Sequence, residues 1–196
     1  KDKHVIMTAG RLDSGEIDKN KGFDEVLEVL PELIKQFPEV VYMIVGDGDD
    51  KDRLTKKAKE LGVFDVVRFT GFVCDSEKAD HYRLADMFVM PSRFEPCGLN
   101  QLYSQRYGTP PIVHATGGLA DSVVDCTEAT LKDGSASGFA YNGMTADNLF
   151  ATIQRAVKLY HKQSQWQALQ KNCMAKNFSW EVSAEAYRAV YLKVLG

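Results

Sequence analysis

Val40-Val41-Tyr42-Met43-Ile44-Val45-Gly46 is an unbroken apolar run that ends on glycine and opens into the polar turn Asp47-Gly48-Asp49-Asp50. A strand with one wet face alternates apolar and polar residues; a run without alternation fits a strand covered on both faces. Outward from it the same kind of run recurs at residues 4–9, 66–72, 87–92 and 111–115, and more weakly at 138–141. Between these runs lie helical segments near 22–37, 51–61, 76–85, 99–107, 118–126 and 145–161. Strand–helix alternation with doubly covered strands predicts an α/β fold built on a doubly wound parallel sheet. In such sheets ligands bind beyond the carboxyl ends of the strands. The loops after Ala9, Gly46, Phe72, Ser92 and Ala115 are therefore the places to search. The tail differs: residues 163–176 and 179–195 read as consecutive helices with no strand between, and Ser179 is a candidate cap for the second.

Composition narrows the class. The 196 residues are 44% hydrophobic and 26% charged, an ordinary globular mixture, and the net charge of -3 lacks the basic excess of a nucleic-acid-binding domain. No apolar run approaches the roughly 20 residues that span a membrane. Cys74, Cys97, Cys126 and Cys173 are scattered, with no paired spacing and no clustered histidines, which argues against a structural zinc site or a disulfide scaffold and favours a reducing cytosol. The chain opens on Lys1 and enters its first strand almost at once, which reads as a piece of a longer protein.

Three of the loops favour anions. After the first strand come Gly10-Arg11-Leu12-Asp13, a polar insertion over residues 14–20, and Lys21-Gly22 at a helix start. Glycine permits a tight exit, Arg11 offers a fork of donors for phosphate oxygens, and Lys21 adds charge beside a helix N-terminus. Taken alone, such a pair is more often solvated surface charge. After the fourth strand comes Arg93-Phe94-Glu95-Pro96-Cys97-Gly98-Leu99-Asn100-Gln101-Leu102-Tyr103. Here the amides of Gly98, Leu99 and Asn100 suit a phosphate and Glu95 suits sugar hydroxyls, although a glutamate before a helix also simply favours the dipole. After the fifth strand, Gly117-Gly118 forms a small turn that is weak evidence by itself. Three such loops at one sheet edge point to a diphosphate ligand.

Those segments, with Tyr107-Gly108-Thr109-Pro110, Thr116-Gly117-Gly118-Leu119 and Phe178-Ser179-Trp180-Glu181, resemble the C-terminal, nucleotide-sugar-binding half of the glycogen and starch synthase family. The first half is also similar to the broader retaining family that includes sucrose-phosphate synthase. The resemblance implies one Rossmann-like domain of a GT-B fold that transfers glucose with retention from ADP-glucose or UDP-glucose to an α-1,4-glucan. It implies that Arg11 and Lys21 neutralise the diphosphate and that Glu95 holds the donor glucose. It further implies that Gly10, Cys97, Gly98, Leu99, Asn100, Tyr103, Gly117 and Gly118 line the sugar and phosphate pocket, with Phe72 and Val73 near the base. No cofactor beyond the nucleotide sugar is implied, and no metal. Residues 1–178 would form the domain and 179–196 a helix against an N-terminal domain absent from this chain. That absent domain would bind the glucan acceptor, so this chain alone is expected to lack turnover.

Other signals carry less. Asp47-Gly48-Asp49-Asp50 has the spacing of a carboxylate metal site, but reads better as a polar turn before a helix. Cys97 has no histidine partner in sequence to make it a nucleophile. His4, His81, His114 and His161 show no ligand spacing. Two alternatives stand beside the main reading: the donor domain of another retaining glycosyltransferase, and a noncatalytic nucleotide-sugar-binding module.

Overall fold

The computed structural model describes residues 3–15 and 21–195, and every element named below lies among them. Of the polar insertion expected over 14–20, only Ser14 and Gly15 fall inside that range; Lys1 and Asp2 fall outside it. The strands are β1 (His4–Ala9), β2 (Val40–Val45), β3 (Val67–Phe69), β4 (Met87–Met90), β5 (Pro111–His114) and β6 (Phe139–Tyr141). The helices are α1 (Phe23–Gln36), α2 (Lys51–Glu60), α3 (Asp75–Leu84), α4 (Asn100–Arg106), α5 (Gly117–Ser122), α6 (Glu128–Lys132), α7 (Ala146–Tyr160), α8 (Gln163–Ala175) and α9 (Trp180–Leu195). All strand pairs are parallel and the order is β3-β2-β1-β4-β5-β6. The chain reverses its direction of sheet growth between β1 and β4, which makes that crevice the topological switch point.

The unbroken apolar runs have a direct cause. Ile6, Tyr42, Ile44, Met87, Val89 and Ile112 enter one core with α1, α2, α7 and α8, while their neighbours Met7, Met43, Val45, Phe88, Met90 and Val113 enter a second on the opposite face. Both pleat directions are dry, so both sets of positions are apolar. In α1, Phe23, Val26, Leu27, Leu30 and Leu33 follow helical spacing and are all buried, each worth about 1.5–3 kcal/mol of transfer free energy for a large side chain. A polar contact inside this core is satisfied: the Tyr42 hydroxyl donates to Thr8 Oγ1 at 3.1 Å.

Four local differences from the sequence reading stand out. The helix expected over 118–126 stops at Ser122, because β-branched Val123 turns extended and the Cys126 amide donates to the Gly138 carbonyl. The strand expected over 66–72 is only Val67–Phe69, preceded by a 3₁₀ turn at Phe64–Val66. Helix α6, unanticipated, is started by Thr127, whose side chain accepts from the Thr130 amide. At the tail, the Ser179 hydroxyl donates to Glu181 at 2.7 Å rather than accepting from a helix amide. Helix α9 has no buried residue, and Trp180 is 86% exposed. No helix among the described residues is long and apolar enough to cross a membrane.

Candidate functional site

The loops at the carboxyl edge of the sheet are tied together by backbone contact. Gly10 donates to the Val45 carbonyl at 3.0 Å, Leu12 to Asp47 at 3.0 Å, and Asp50 returns a bond to Leu12 at 2.7 Å. Glycine is required at this seam. A Cβ on Gly46, whose φ is +146°, would lie 1.9 Å from the Gly10 carbonyl oxygen, so any larger residue would push the β1 loop away from β2. The Arg11 loop therefore has its position set by β2, and residues 46 and 71 bridge onward to the loop after β3.

Between these loops is a cavity of about 290 Å³, lined from β1 by Met7, Ala9, Gly10 and Arg11, from β2 by Val45, Gly46 and Asp47, and from the β3 loop by Phe72 and Val73. Lys78, His81 and Tyr82 of α3 and Asn100 of α4 complete it. Five expected site residues, Gly10, Arg11, Phe72, Val73 and Asn100, thus share one cavity at the switch point. The α3 group was missed from sequence. Its signal was there: positions 78, 81 and 82 follow the i, i+3, i+4 spacing that puts side chains on one helix face.

Asn100 is held at both ends of its amide. Its Nδ2 donates to the Ala9 carbonyl at 3.2 Å and its Oδ1 accepts from the Tyr82 hydroxyl at 3.1 Å. Burial pushes the Tyr82 phenol well above its ordinary pKa, so it stays a donor. Asn100 is thereby the bolt between β1 and the first turn of α4, which fixes the cavity wall rather than leaving a mobile polar group. Tyr103 packs its ring 6.4 Å from Tyr82 and is half-exposed.

Lys21 and Glu95 form a second centre beside the first. Lys21 Nζ donates to Glu95 Oε2 at 2.9 Å, with the glutamate side chain 12% exposed and the lysine 35%. The Lys21 stem passes close to Gly10, where an added Cβ would sit 3.9 Å from its Cγ. The other basic groups named at this edge also have carboxylates beside them: Arg11 with Asp13 at 3.2 Å, and Arg93 with Glu25 at 2.7 Å.

The Glu95–Leu99 loop is fixed from behind. The Gly118 amide donates to the Glu95 carbonyl at 3.0 Å, and buried Gln101 donates through Nε2 toward the Cys97 carbonyl at 3.0 Å and Ser122 Oγ at 3.1 Å. Cβ atoms on Gly117 and Gly118 would each fall 2.2 Å from a carbonyl oxygen, of Glu95 and Cys97 respectively. The paired glycines therefore let α5 approach the loop, and the Gly118 amide is already used. Gln101 is the residue of this motif whose part could not be read in sequence. The amides of Gly98, Leu99 and Asn100 have no backbone acceptor among the described residues. Cys97, Gly98, Leu99 and Tyr103 do not line the cavity. His114 Nδ1 donates to the Ser92 carbonyl, 2.9 Å away, and supports the β4 exit.

The acidic turn is occupied by protein partners. Asp49 accepts from the Ser14 amide and hydroxyl at 2.8 and 2.9 Å, Asp50 takes two bonds of 2.6 Å from Arg53, and Asp47 lies 3.6 Å from Lys51. These carboxylates diverge to separate partners instead of converging on one point.

A family model described as glycosyl transferases group 1 matches residues 2–172. The chain belongs to this family. It is 47% identical over 173 residues to the glycogen synthase of Nitrosomonas eutropha, covering 87% of this chain and 34% of that protein. It is 48% identical over 194 residues to the glycogen synthase of Hydrogenovibrio crunogenus, covering 97% and 38%. The chain therefore spans little more than a third of these relatives. Among solved structures, the catalytic domain of Arabidopsis thaliana starch synthase IV bound to ADP and acarbose superposes with a TM-score of 0.80 at 25% identity, covering 98% of this chain and 38% of that one. Sucrose-phosphate synthase from Thermosynechococcus elongatus shares the fold, with a TM-score of 0.71 at 23% identity, covering 99% and 46%. The six parallel strands with helices on both faces are the Rossmann-like fold of GT-B glycosyltransferases.

Proposed function

We propose that this group 1 glycosyltransferase chain is the donor-binding unit of a retaining glucosyltransferase that extends an α-1,4-glucan from ADP-glucose, or UDP-glucose. The observation that carries the reading is the meeting, at the switch point, of the cavity lined by Arg11, Phe72 and Asn100 with the Lys21–Glu95 pair. A nucleotide base would sit against Phe72, which is 81% exposed at the cavity mouth, with the sugar toward Glu95 and the diphosphate between them. The likeness to glycogen synthases, and to a starch synthase solved with ADP, favours ADP-glucose.

In this reading the ion pairs are exchangeable. A diphosphate would draw Lys21 from Glu95 and Arg11 from Asp13, releasing the Glu95 carboxylate to accept from the glucose hydroxyls. As the bond from the anomeric carbon to the diphosphate breaks, negative charge grows on the departing oxygen, and Arg11 and Lys21 stabilise it more in the transition state than in the ground state. They supply the charge that a metal would otherwise bring, so no metal is required for transfer. Retention follows if the acceptor attacks from the face the diphosphate leaves. The acceptor side would come from an upstream domain, against which the 179–196 segment, which carries the uncovered helix α9, would pack beyond the 1–178 domain. This chain alone would bind donor without sustained turnover.

The test is calorimetric titration with ADP, UDP and their glucose conjugates, beside an Arg11→Ala, Lys21→Ala double variant. Saturable ADP binding lost in the variant is the expected result. Equal binding by the folded variant would remove both residues from the diphosphate site.

A further inference from the structure

Two histidines far apart in the sequence, His4 and His161, meet on one carboxylate oxygen. His4 Nδ1 lies 3.5 Å from Glu39 Oε1, and His161 Nε2 lies 3.4 Å from the same atom. Ligand atoms of the three residues all lie within 4.8 Å of one another. Both separations exceed the usual 2.7–3.2 Å of a hydrogen bond. They match the edge of a tetrahedron around zinc: bonds of about 2.0–2.1 Å place neighbouring ligand atoms about 3.3–3.4 Å apart.

We infer that His4, Glu39 and His161 form a binding site for a zinc-class divalent cation, separate from the donor site. Two imidazoles and one carboxylate are the donor set such ions prefer, and water would fill the remaining position. Magnesium, which prefers all-oxygen surroundings, would not compete. The ligands are pre-positioned by ordered elements. The His4 amide donates to the Glu39 carbonyl at 3.0 Å, locking the start of β1 to the entry of β2, and the His161 amide donates to Val157 at the end of α7. The rings are held by aromatic neighbours, with Tyr160 4.5 Å from His4 and Phe37 6.4 Å from His161. The His161 side chain is 49% exposed, so it provides both the entry path and the small rotation that closes the third edge. The site lies at the amino end of β1, about 17 Å from Ala9 at the other end of this six-residue strand, toward which the donor cavity lies. A bound ion would therefore staple β1, β2 and α7 together without touching the transfer site.

The experiment is titration of the 196-residue chain, first stripped with a chelator, with Zn²⁺ alone and with Mg²⁺ alone. One Zn²⁺ per chain is expected, with no Mg²⁺ binding. His161→Gln and Glu39→Gln should each weaken Zn²⁺ binding at least tenfold, while their thermal midpoints in chelator stay at the parent value. Zn²⁺ should raise the parent's midpoint and leave those of the variants unmoved. Because Cys74 and Cys97 could capture zinc, Co²⁺ is the second probe: the expected spectrum lacks a thiolate charge-transfer band. No saturable Zn²⁺ binding, a thiolate band, or binding unaffected by both variants would each overturn the assignment, leaving the three residues as an ion-pair cluster.

Discussion

Gly118→Ala sets helix propensity against tertiary contact, and the two forecast opposite signs. Gly118 is the second residue of α5 and has an ordinary helical backbone, so propensity alone predicts a gain of about 1 kcal/mol for alanine. The built Cβ, however, would sit 2.2 Å from the Cys97 carbonyl oxygen and 2.6 Å from its Cα. Restoring an ordinary non-bonded distance of about 3.3 Å requires the loop or the helix to shift by about 1 Å. Both partners are backbone, and the loop is anchored by Gln101 and by the Gly118–Glu95 bond, so no side chain can rotate away. Overpacking of this kind costs about 1–3 kcal/mol; at its upper end, less the propensity gain, the net is about 2 kcal/mol of destabilisation. Urea unfolding would measure it, and the reaction rate of Cys97 with a thiol reagent would report whether the Glu95–Leu99 loop has moved. Gly62→Ala is the control: its φ is +70° but nothing lies within 4 Å of the added atom. It should cost about 1 kcal/mol through backbone strain and leave Cys97 reactivity unchanged. A Gly118→Ala protein that is more stable than the parent, with Cys97 reacting at the parent rate, would refute the reasoning.

Three further outcomes are expected. Tyr82→Phe removes the donor to Asn100 Oδ1 and should cost about 1 kcal/mol in urea unfolding, typical of one lost hydrogen bond with a stranded acceptor. Asp24 is held down to a pKa of about 2 from 3.8, first by hydrogen bonds from Arg53 and then, against the opposing effect of burial, by Lys57. Since the folded value is the lower one, its stabilisation is complete above pH 3.8 and is lost as pH falls through about 2; acid titration of Asp24→Asn should therefore show a shallower loss of stability in that window. Among the thiols, exposed Cys97 should react first under native conditions, with Cys74 following; Cys126 and Cys173, whose thiols burial pushes up to about 11 and about 12, should react only on unfolding, as a timed thiol assay would show.

The fold was largely legible because burial on both sheet faces leaves a one-dimensional trace: β1 and the six residues of β2 stand where the apolar runs put them. Element ends were less legible. Val123 to Cys126 look helical in isolation, and what pulls them extended is Gly138, distant in sequence. The candidate cavity was legible where its lining comes from loops that directly follow strands, as at Gly10, Arg11 and Phe72. It was hidden where it rests on a face of α3, because Lys78, His81 and Tyr82 belong to a short polar helix whose orientation only packing sets.

Composition and periodicity by themselves determined the class of this protein: an α/β chain with a parallel sheet covered on both sides and glycine-rich loops at one edge. Those are local properties, since each residue's polarity records whether its own surroundings are dry. Tertiary structure alone decided which distant residues meet. It joined Lys21 to Glu95, bolted Asn100 between Ala9 and Tyr82, scattered the carboxylates of the acidic turn, and brought His4 and His161, which show no spacing in the chain, onto Glu39. Such contacts depend on strand order and on the direction in which each element leaves the sheet, and neither leaves a mark on the sequence of any one segment.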